Sequence, residues 1–265
     1  MVKVLFIHAN GNPYRDKRLI EELQAHKEVN FIACDYKTVL WSLKNNPHKI
    51  YADCVININR CKELGDLLEK DGVKCFNKPT AAFLANDKWE TYIKLNEINI
   101  PQPKTSLTQD FKPPFIYKDR FGAYGKKVEL IETNKKLSNK NKKYIFQEYI
   151  EESKGKSIRV VMIDKKPVAC SLKVNEKSFL SHYAHGGTDQ YYELTNELAA
   201  LCSKVATHLD LDYCALDLLI SNNGLLVLEV NSGAGLKGIE DFTGVNIAKK
   251  YVDYIVDNVK QTINS

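Results

Sequence analysis

Cys214-Ala-Leu-Asp-Leu-Leu-Ile-Ser-Asn-Asn-Gly-Leu-Leu-Val-Leu-Glu-Val-Asn231 is the stretch whose reading decides the fold. Two apolar, β-rich runs flank Asn222-Asn223-Gly224, a turn signal, so the segment reads as a β-hairpin. Three oxygen-bearing side chains interrupt the apolar runs: Asp217, Glu229 and Asn231. Side chains alternate across a strand, which puts Glu229 and Asn231 on one face. Asp217 joins them only if the turn has the right length. A two-residue loop gives it the wrong parity, opposite Leu228 or Val230. A three-residue loop, Asn222 to Gly224 with the glycine left-handed, sets Asp217 opposite Glu229. That arrangement is expected, because it makes a hard, oxygen-only cluster suited to Mg²⁺ against phosphate oxygens.

Outward from the hairpin, Tyr191 to Leu209 carries apolar residues at helical spacing and reads as one amphipathic helix feeding it. Ser157–Ile163 and Lys166–Lys173 read as an antiparallel pair joined at Asp164-Lys165, with Arg159 the basic residue of the first. The loop Ser181-His-Tyr-Ala-His-Gly-Gly-Thr188 follows. Earlier, Tyr144–Ile150 reads as a strand. Phe115–Lys118 and Val128–Ile131 enclose a turn containing Gly122 and Gly125; a lysine-presenting strand beside such a turn can lie over phosphates. Asn77-Lys-Pro79 marks a boundary, and Thr80 is positioned to cap a helix running to about Asn96. A last helix is expected from about Val245 to Val259.

Residues 1 to 78 alternate strand and helix, the pattern of a small open parallel sheet. Gly11 and Asn12 follow its first strand, where a ligand can meet the strand ends, but no G-x-G-x-x-G is present, which disfavours a dinucleotide site.

Composition narrows the class. With 265 residues, 44% hydrophobic and 27% charged, the chain is an ordinary globular protein with a substantial core. No apolar run is long enough to span a bilayer, and the first residues lack a signal-peptide pattern, so a cytoplasmic location without a membrane partner is expected. Seven scattered cysteines with no C-x-x-C read as reduced thiols rather than a zinc site. The net charge of +5 is concentrated in lysines between Lys126 and Lys143, which read as a solvated face or as an attractor of anionic nucleotide or substrate. No arginine-rich, aromatic-interleaved block points to nucleic acid.

Taken together, these stretches resemble the RimK-like group of ATP-grasp ligases. The resemblance rests on Asn86-Asp-Lys88, on Ile-Tyr-Lys118 with its glycine turn, and on Gln-Glu-Tyr-Ile150 with Ile158-Arg159. Asp217 with Leu-Glu-Val-Asn231, and Gly-Leu-Lys-Gly-Ile-Glu240, complete it. It implies an α/β and α+β ATP-grasp fold in three parts: an N-terminal α/β domain (1–78), a central lobe (79–150) and a C-terminal lobe with the metal site (151–265). It implies ATP with Mg²⁺, or Mn²⁺ as the alternative ion, and an amide-forming ligation of a carboxylate and an amine through an acyl-phosphate. An acidic amino acid is the expected amine, and a peptide, protein tail or small molecule the acceptor. By position, Lys88, Lys118, Gly122 and Gly125 would face the phosphates, Gln147, Glu148, Tyr149 and Ile150 the adenine, and Ser157 the ribose. Arg159 and Lys118 would act on the transferred phosphoryl group, and Asp217, Glu229 and Asn231 on the metal. His182, Tyr183, His185, Gly186, Gly187, Ser232 and Gly235 would surround the acceptor. A phosphotransferase or a non-catalytic nucleotide-binding module on the same scaffold is the competing reading, and a homo-oligomer stays open.

The chain departs from the family pattern at three points. Ser157 stands where an acidic residue for the ribose is usual, the acceptor loop has His182 and His185 in place of its arginines, and Ala234 replaces a proline after Asn231.

Overall fold

The computed structural model describes residues 1–8, 12–46, 49–122, 127–181 and 186–264. Gly11, Gly125, His182, Tyr183 and His185, singled out above, lie outside the described residues. The first alternation folds as a parallel sheet in the order β2-β1-β3-β4, built from β1 (Val2–His8), β2 (Val29–Asp35), β3 (Cys54–Asn57) and β4 (Cys75–Phe76). Its helices are α1 (Pro13–Ala25), α2 (Tyr36–Asn45) and α3 (Lys62–Asp71). The sequence reading missed α2, whose start is fixed by Asp35, a side-chain cap that accepts the Lys37 N–H at 2.9 Å.

The single helix expected from Thr80 to Asn96 is two, α4 (Pro79–Asn86) and α5 (Lys88–Asn96). Proline, not Thr80, opens α4, with Lys78 as its cap residue. Asp87 divides the pair: its backbone is extended, and its carboxylate accepts the Trp89 and Glu90 N–H groups as the cap of α5. Likewise the helix expected from Tyr191 begins only at α6 (Asn196–His208), where the Thr195 hydroxyl accepts the Leu198 N–H. The C-terminal helix is α8 (Ile247–Asn264), preceded by the short α7 (Lys237–Thr243).

β5 (Thr105–Ser106), β6 (Phe115–Asp119), β7 (Val128–Ile131) and β8 (Tyr144–Glu148) form an antiparallel sheet in the order β5-β8-β6-β7 over a small core of Phe115, Tyr117, Ile131 and Phe146. The largest sheet, order β11-β10-β9-β12-β13, comprises β9 (Lys156–Ile163), β10 (Lys166–Val174), β11 (Thr188–Gln190), β12 (Tyr213–Ser221) and β13 (Gly224–Asn231). One of its faces is apolar throughout: Ile158, Val160, Leu216, Leu218, Val227 and Val230 pack on α6 and on Ala81, Ala85 and Leu95 of α4 and α5. The other face changes character along the strands. At one end Val161, Ile163, Ala169, Tyr213 and Ala215 pack against the N-terminal sheet and α8. At the other end the same face carries Ser171, Arg159, Asp217 and Glu229 in a row across four strands.

That row depends on two β-bulges. The hairpin turn is the two-residue loop Asn222-Asn223, with Ser221 paired to Gly224, not the three-residue loop expected. Gly224 has φ +107°, a conformation that favours glycine, and Ser221 Oγ accepts the Asn223 N–H. Uncorrected, this turn would give Asp217 the wrong parity. A bulge at Leu228 inserts one unpaired residue and restores the Asp217–Glu229 pair. A second bulge between Pro167 and Ala169 brings Ser171 opposite Arg159 and Lys173 opposite Ser157. Among the described residues no helix is long and apolar enough to cross a membrane.

Candidate active site

The polar end of the large sheet faces the central sheet across a cleft of about 950 Å³, a volume that includes solvent at its mouth. Ile116, Val128, Ile150, Phe179, Leu219 and Leu228 make an apolar slot, and Lys88, Lys118, Lys173, Asp217 and Glu229 stand in the same space. Leu228 is the bulge residue, so the irregularity that aligns the carboxylates also turns an apolar side chain into the slot.

Arg159 grips Asp217 through two hydrogen bonds, Nε to Oδ1 at 2.8 Å and Nη2 to Oδ2 at 2.5 Å. Lys173 Nζ lies 3.9 Å from the same carboxylate. Asn231 Nδ2 donates to Glu229 at 3.1 Å and reaches Asp217 at 3.4 Å, so the three predicted metal-facing side chains meet at one point. Lys88, the first residue of α5, donates to the Gly122 carbonyl at 2.5 Å, and its Nζ is 3.7 Å from Glu229. Asp87, beside it, holds Arg120 at the root of the glycine turn through two bonds of 2.6 Å.

Burial pushes the Lys118 ammonium down to about 8, against the pull of Glu229 and with the repulsion of Lys88. Burial likewise lowers Lys173 to about 8, with Arg159 adding repulsion. Burial alone would raise the Glu229 carboxyl, but Lys88, Lys118 and the Asn231 amide hold it below its ordinary value. The site is therefore cation-rich, with its two carboxylates ionised and adjacent to an amide.

Of the residues expected at the nucleotide, Lys88, Lys118, Gly122, Gln147, Glu148, Tyr149, Ile150 and Ser157 line the cleft. The Gln147 side chain is turned away from ligand duty, bonding Thr105 Oγ1 at 2.9 Å, and leaves its backbone to the slot. Ser157 shares a 2.6 Å hydrogen bond with Ser181. Arg159 and Asn231 stand behind the lining and act on it through Asp217 and Glu229. The expected acceptor residues are placed elsewhere: Ser232 is buried and tied to Asn86 at 3.0 Å. Gly235 abuts Asn12, whose Nδ2 would lie 2.6 Å from an added Cβ. Gly186 is exposed and Gly187 buried just before β11. Sequence reading missed Lys173. Its signal was a lysine near the end of an apolar strand, like Lys118, but only the bulge in β10 decides which face it takes.

Asp217, Glu229 and Asn231 fit a hard divalent cation: two carboxylates converge beside an amide, each carboxylate oxygen keeps a lone pair beyond its present hydrogen bond, and the Asn231 amide, whose nitrogen faces the carboxylates here, would turn its oxygen to the ion. When bound, such an ion would act as a Lewis acid toward phosphate oxygens.

Comparison with known proteins gives the family and the fold. The family model of the RimK-like ATP-grasp domain matches residues 85–255. A probable alpha-L-glutamate ligase of Vibrio atlanticus (strain LGP32) is 33% identical over 215 residues, covering 74% of this chain and 71% of that protein. Tetrahydromethanopterin:alpha-L-glutamate ligase of Methanocaldococcus jannaschii is 30% identical over 209 residues, covering 71% and 72%. The fold is shared with the ATP-grasp ligase PsnB complexed with a phosphomimetic precursor variant, Mg and ADP (TM-score 0.71, 17% identity, 97% of this chain and 98% of that one). It is shared equally with D-alanine–D-alanine ligase of Bacillus anthracis complexed with ATP (TM-score 0.71, 14% identity, 99% and 98%). The chain belongs to the RimK-like ATP-grasp family of ATP-dependent carboxylate–amine ligases.

Proposed function

We propose that the protein joins an acidic amino acid, glutamate in the first place, through its amine to a carboxylate of a peptide or protein acceptor. The names of the relatives support glutamate, and the surplus of cationic groups in the cleft supports an acidic substrate. The observation that carries the reading is the convergence of Asp217, Glu229 and Asn231 with Lys88, Lys118 and Lys173 at one end of an apolar slot.

In this reading Ile116, Val128, Leu219 and Leu228 sandwich the adenine, the backbone of Gln147 to Ile150 reads its edge, and Ser157 meets the ribose. Lys88 and Lys118 bind the phosphates from two sides, and Lys88 leaves the Gly122 carbonyl to do so. Asp217, Glu229 and Asn231 hold Mg²⁺ or Mn²⁺. An acceptor carboxylate oxygen attacks the γ-phosphorus and ADP departs, leaving an acyl-phosphate. The amine nitrogen then attacks the acyl carbon, the C–N bond forms, the nitrogen sheds its proton and inorganic phosphate leaves. Lys118 and Lys173 face the charge that develops on the transferred group, and Arg159 keeps Asp217 ionised and oriented. We place the division of labour in three sheets, with the central one closing over the nucleotide, and all seven thiols, which are free, fit a cytoplasmic setting.

The test is ADP release with ATP and Mg²⁺. ADP that forms only when both a carboxylate acceptor and glutamate are present, with a matching mass gain in the acceptor, supports the reading. ADP formed with one substrate alone and no amide product sinks it.

A further inference from the structure

The N-terminal sheet ends on one side in β4, two residues long, and on the other in β2, seven residues long. An edge strand offers a row of backbone groups to any chain that comes beside it, and the usual protections are lysine, proline, a bulge or a covering element. β2, Val-Asn-Phe-Ile-Ala-Cys-Asp35, carries neither lysine nor proline and pairs with β1 in unbroken register. Among the described residues no strand lies on its outer side.

One contact fixes which backbone groups point outward. The Val2 N–H donates to the Glu28 carbonyl at 2.7 Å, so the alternate residues Asn30, Ile32 and Cys34 turn N–H and C=O toward β1. Phe31 and Ala33 turn theirs away from the sheet, and among the described residues neither meets a backbone partner there.

The two faces of β2 are also unlike. Val29 and Phe31 pack on the core shared with α8. On the other face Ile32, 65% exposed, lines an open groove beside α2 with Cys34, Leu43 and Tyr51. Tyr51 is 89% exposed, and Trp41, one helical turn from the groove residue Thr38, is 64% exposed. Aromatic side chains present about 150–250 Å² each, so Trp41 and Tyr51 leave about 300 Å² outside at these exposures. With Ile32 and a strand edge about 23 Å long, the face approaches the ~800 Å² that each partner gives to an interface of standard size. No residue of this groove belongs to the nucleotide cleft.

We propose that β2 is the seam of a two-fold dimer, its occupant a second copy of this chain running antiparallel along the same edge. A two-fold axis through Ile32 sets Phe31 opposite the partner subunit's Ala33, and by symmetry Ala33 opposite the partner subunit's Phe31. The outward N–H and C=O groups of both residues are then satisfied, and a large ring lies beside a methyl group. Ile32 meets its own copy in a non-hydrogen-bonded pair, the closest cross-strand approach. The two α2 helices flank that pair on one side of the joined sheet. An axis at Asn30 would pair Phe31 with Val29, whose N–H is already held by the His26 carbonyl at 3.1 Å. An axis at Cys34 would run the ladder into α2, which begins at Tyr36. The joined sheet has eight strands and no long open edge, and both clefts stay accessible. The inference is independent of the reaction.

Sedimentation velocity at micromolar concentration should show the wild type at twice the chain mass; a monomer overturns the proposal. Ile32→Glu and Ile32→Lys each place like charges face to face on the axis and should give monomers that still bind ADP with Mg²⁺. Mixing the two variants in equal amounts should restore a dimer containing one chain of each, read by native mass spectrometry. A dimer that survives either substitution, or a mixture that stays monomeric, overturns the two-fold seam. Ile32→Cys tests the same register without added charge. In a non-hydrogen-bonded pair the Cα atoms approach to about 4.5 Å, within the range a disulfide spans. Mild oxidation should therefore link two chains through position 32, identified by peptide mapping. Should the charged variants fail to fold, this crosslink decides alone, and its absence overturns the proposal.

Discussion

The two walls of the nucleotide cleft present the same kind of group and hold it differently. The central sheet presents Lys118 and the large sheet presents Lys173, both buried and both lowered to about 8 chiefly by that burial. On the large sheet the charges are internally matched, since Arg159 pairs with Asp217 and Lys173 stands 3.9 Å from the same carboxylate. That wall rests on an extensive apolar core shared with α4, α5 and α6. Lys118 has no ion pair within 4 Å among the described residues, and its sheet encloses only a small aromatic core. One wall is electrostatically matched within itself; the other, in the function proposed above, would be matched by the phosphates of the nucleotide.

The sharpest way to break this contrast is to remove a partner from the matched wall. Asp217→Ala leaves Arg159 buried without its counter-ion. It should cost about 3–5 kcal/mol of stability, and turnover should fall about a thousandfold or more with the loss of charge stabilisation at the phosphates. Thermal unfolding and steady-state ADP release check both; a variant melting with the wild type contradicts the matched-charge account.

The opposite sign is expected on the other wall. Lys118→Met should lower turnover about a hundredfold or more yet stabilise the fold at pH 7. A depression of the ammonium from 10.5 to about 8 corresponds to a penalty on the order of 3 kcal/mol. Between pH 8 and 10.5 the unfolded chain binds more protons at this lysine than the folded one, so wild-type stability gains from rising pH in that window. Denaturant titrations at pH 7 and 10 should show that gain shrink in the variant; a destabilised Lys118→Met would show that the ammonium is internally matched after all.

A gentler effect sharpens the comparison. Phosphates brought beside Lys118 and Lys173 favour the protonated amines, so ADP binding near pH 8 should take up protons, and affinity should decline as pH rises through 8. Calorimetry in buffers of different ionisation heat measures the uptake, and Lys118→Arg should remove its share, because a guanidinium stays charged. The smallest effect concerns the slot. Leu228→Ala should weaken ADP binding several-fold, about 1 kcal/mol, by trimming the apolar wall while leaving the Asp217–Glu229 pairing in place. Loss of that pairing, visible as lost Mg²⁺ binding, would show that the Leu228 side chain, and not only its backbone, sets the bulge.

Much of this was readable from residue types. The β12–β13 hairpin, the three oxygen donors, the lysine on β6 and the α/β start of the chain all follow from short-range signals. The helix limits were less readable, since Asp87 and Thr195 act as caps inside apolar runs that continue past them.

The sequence by itself determined which chemical groups the protein has and which strands and helices carry them, because propensity, alternation and turn residues act over a few neighbours. Tertiary structure decided which of those groups face one another. Side chains alternate with a period of two, so one unpaired residue, Leu228 in β13 or the irregularity beside Pro167 in β10, moves every group beyond it to the opposite face. Where the chain takes that extra residue is set by burial of the apolar face against α4, α5 and α6, a contact between segments far apart in the chain.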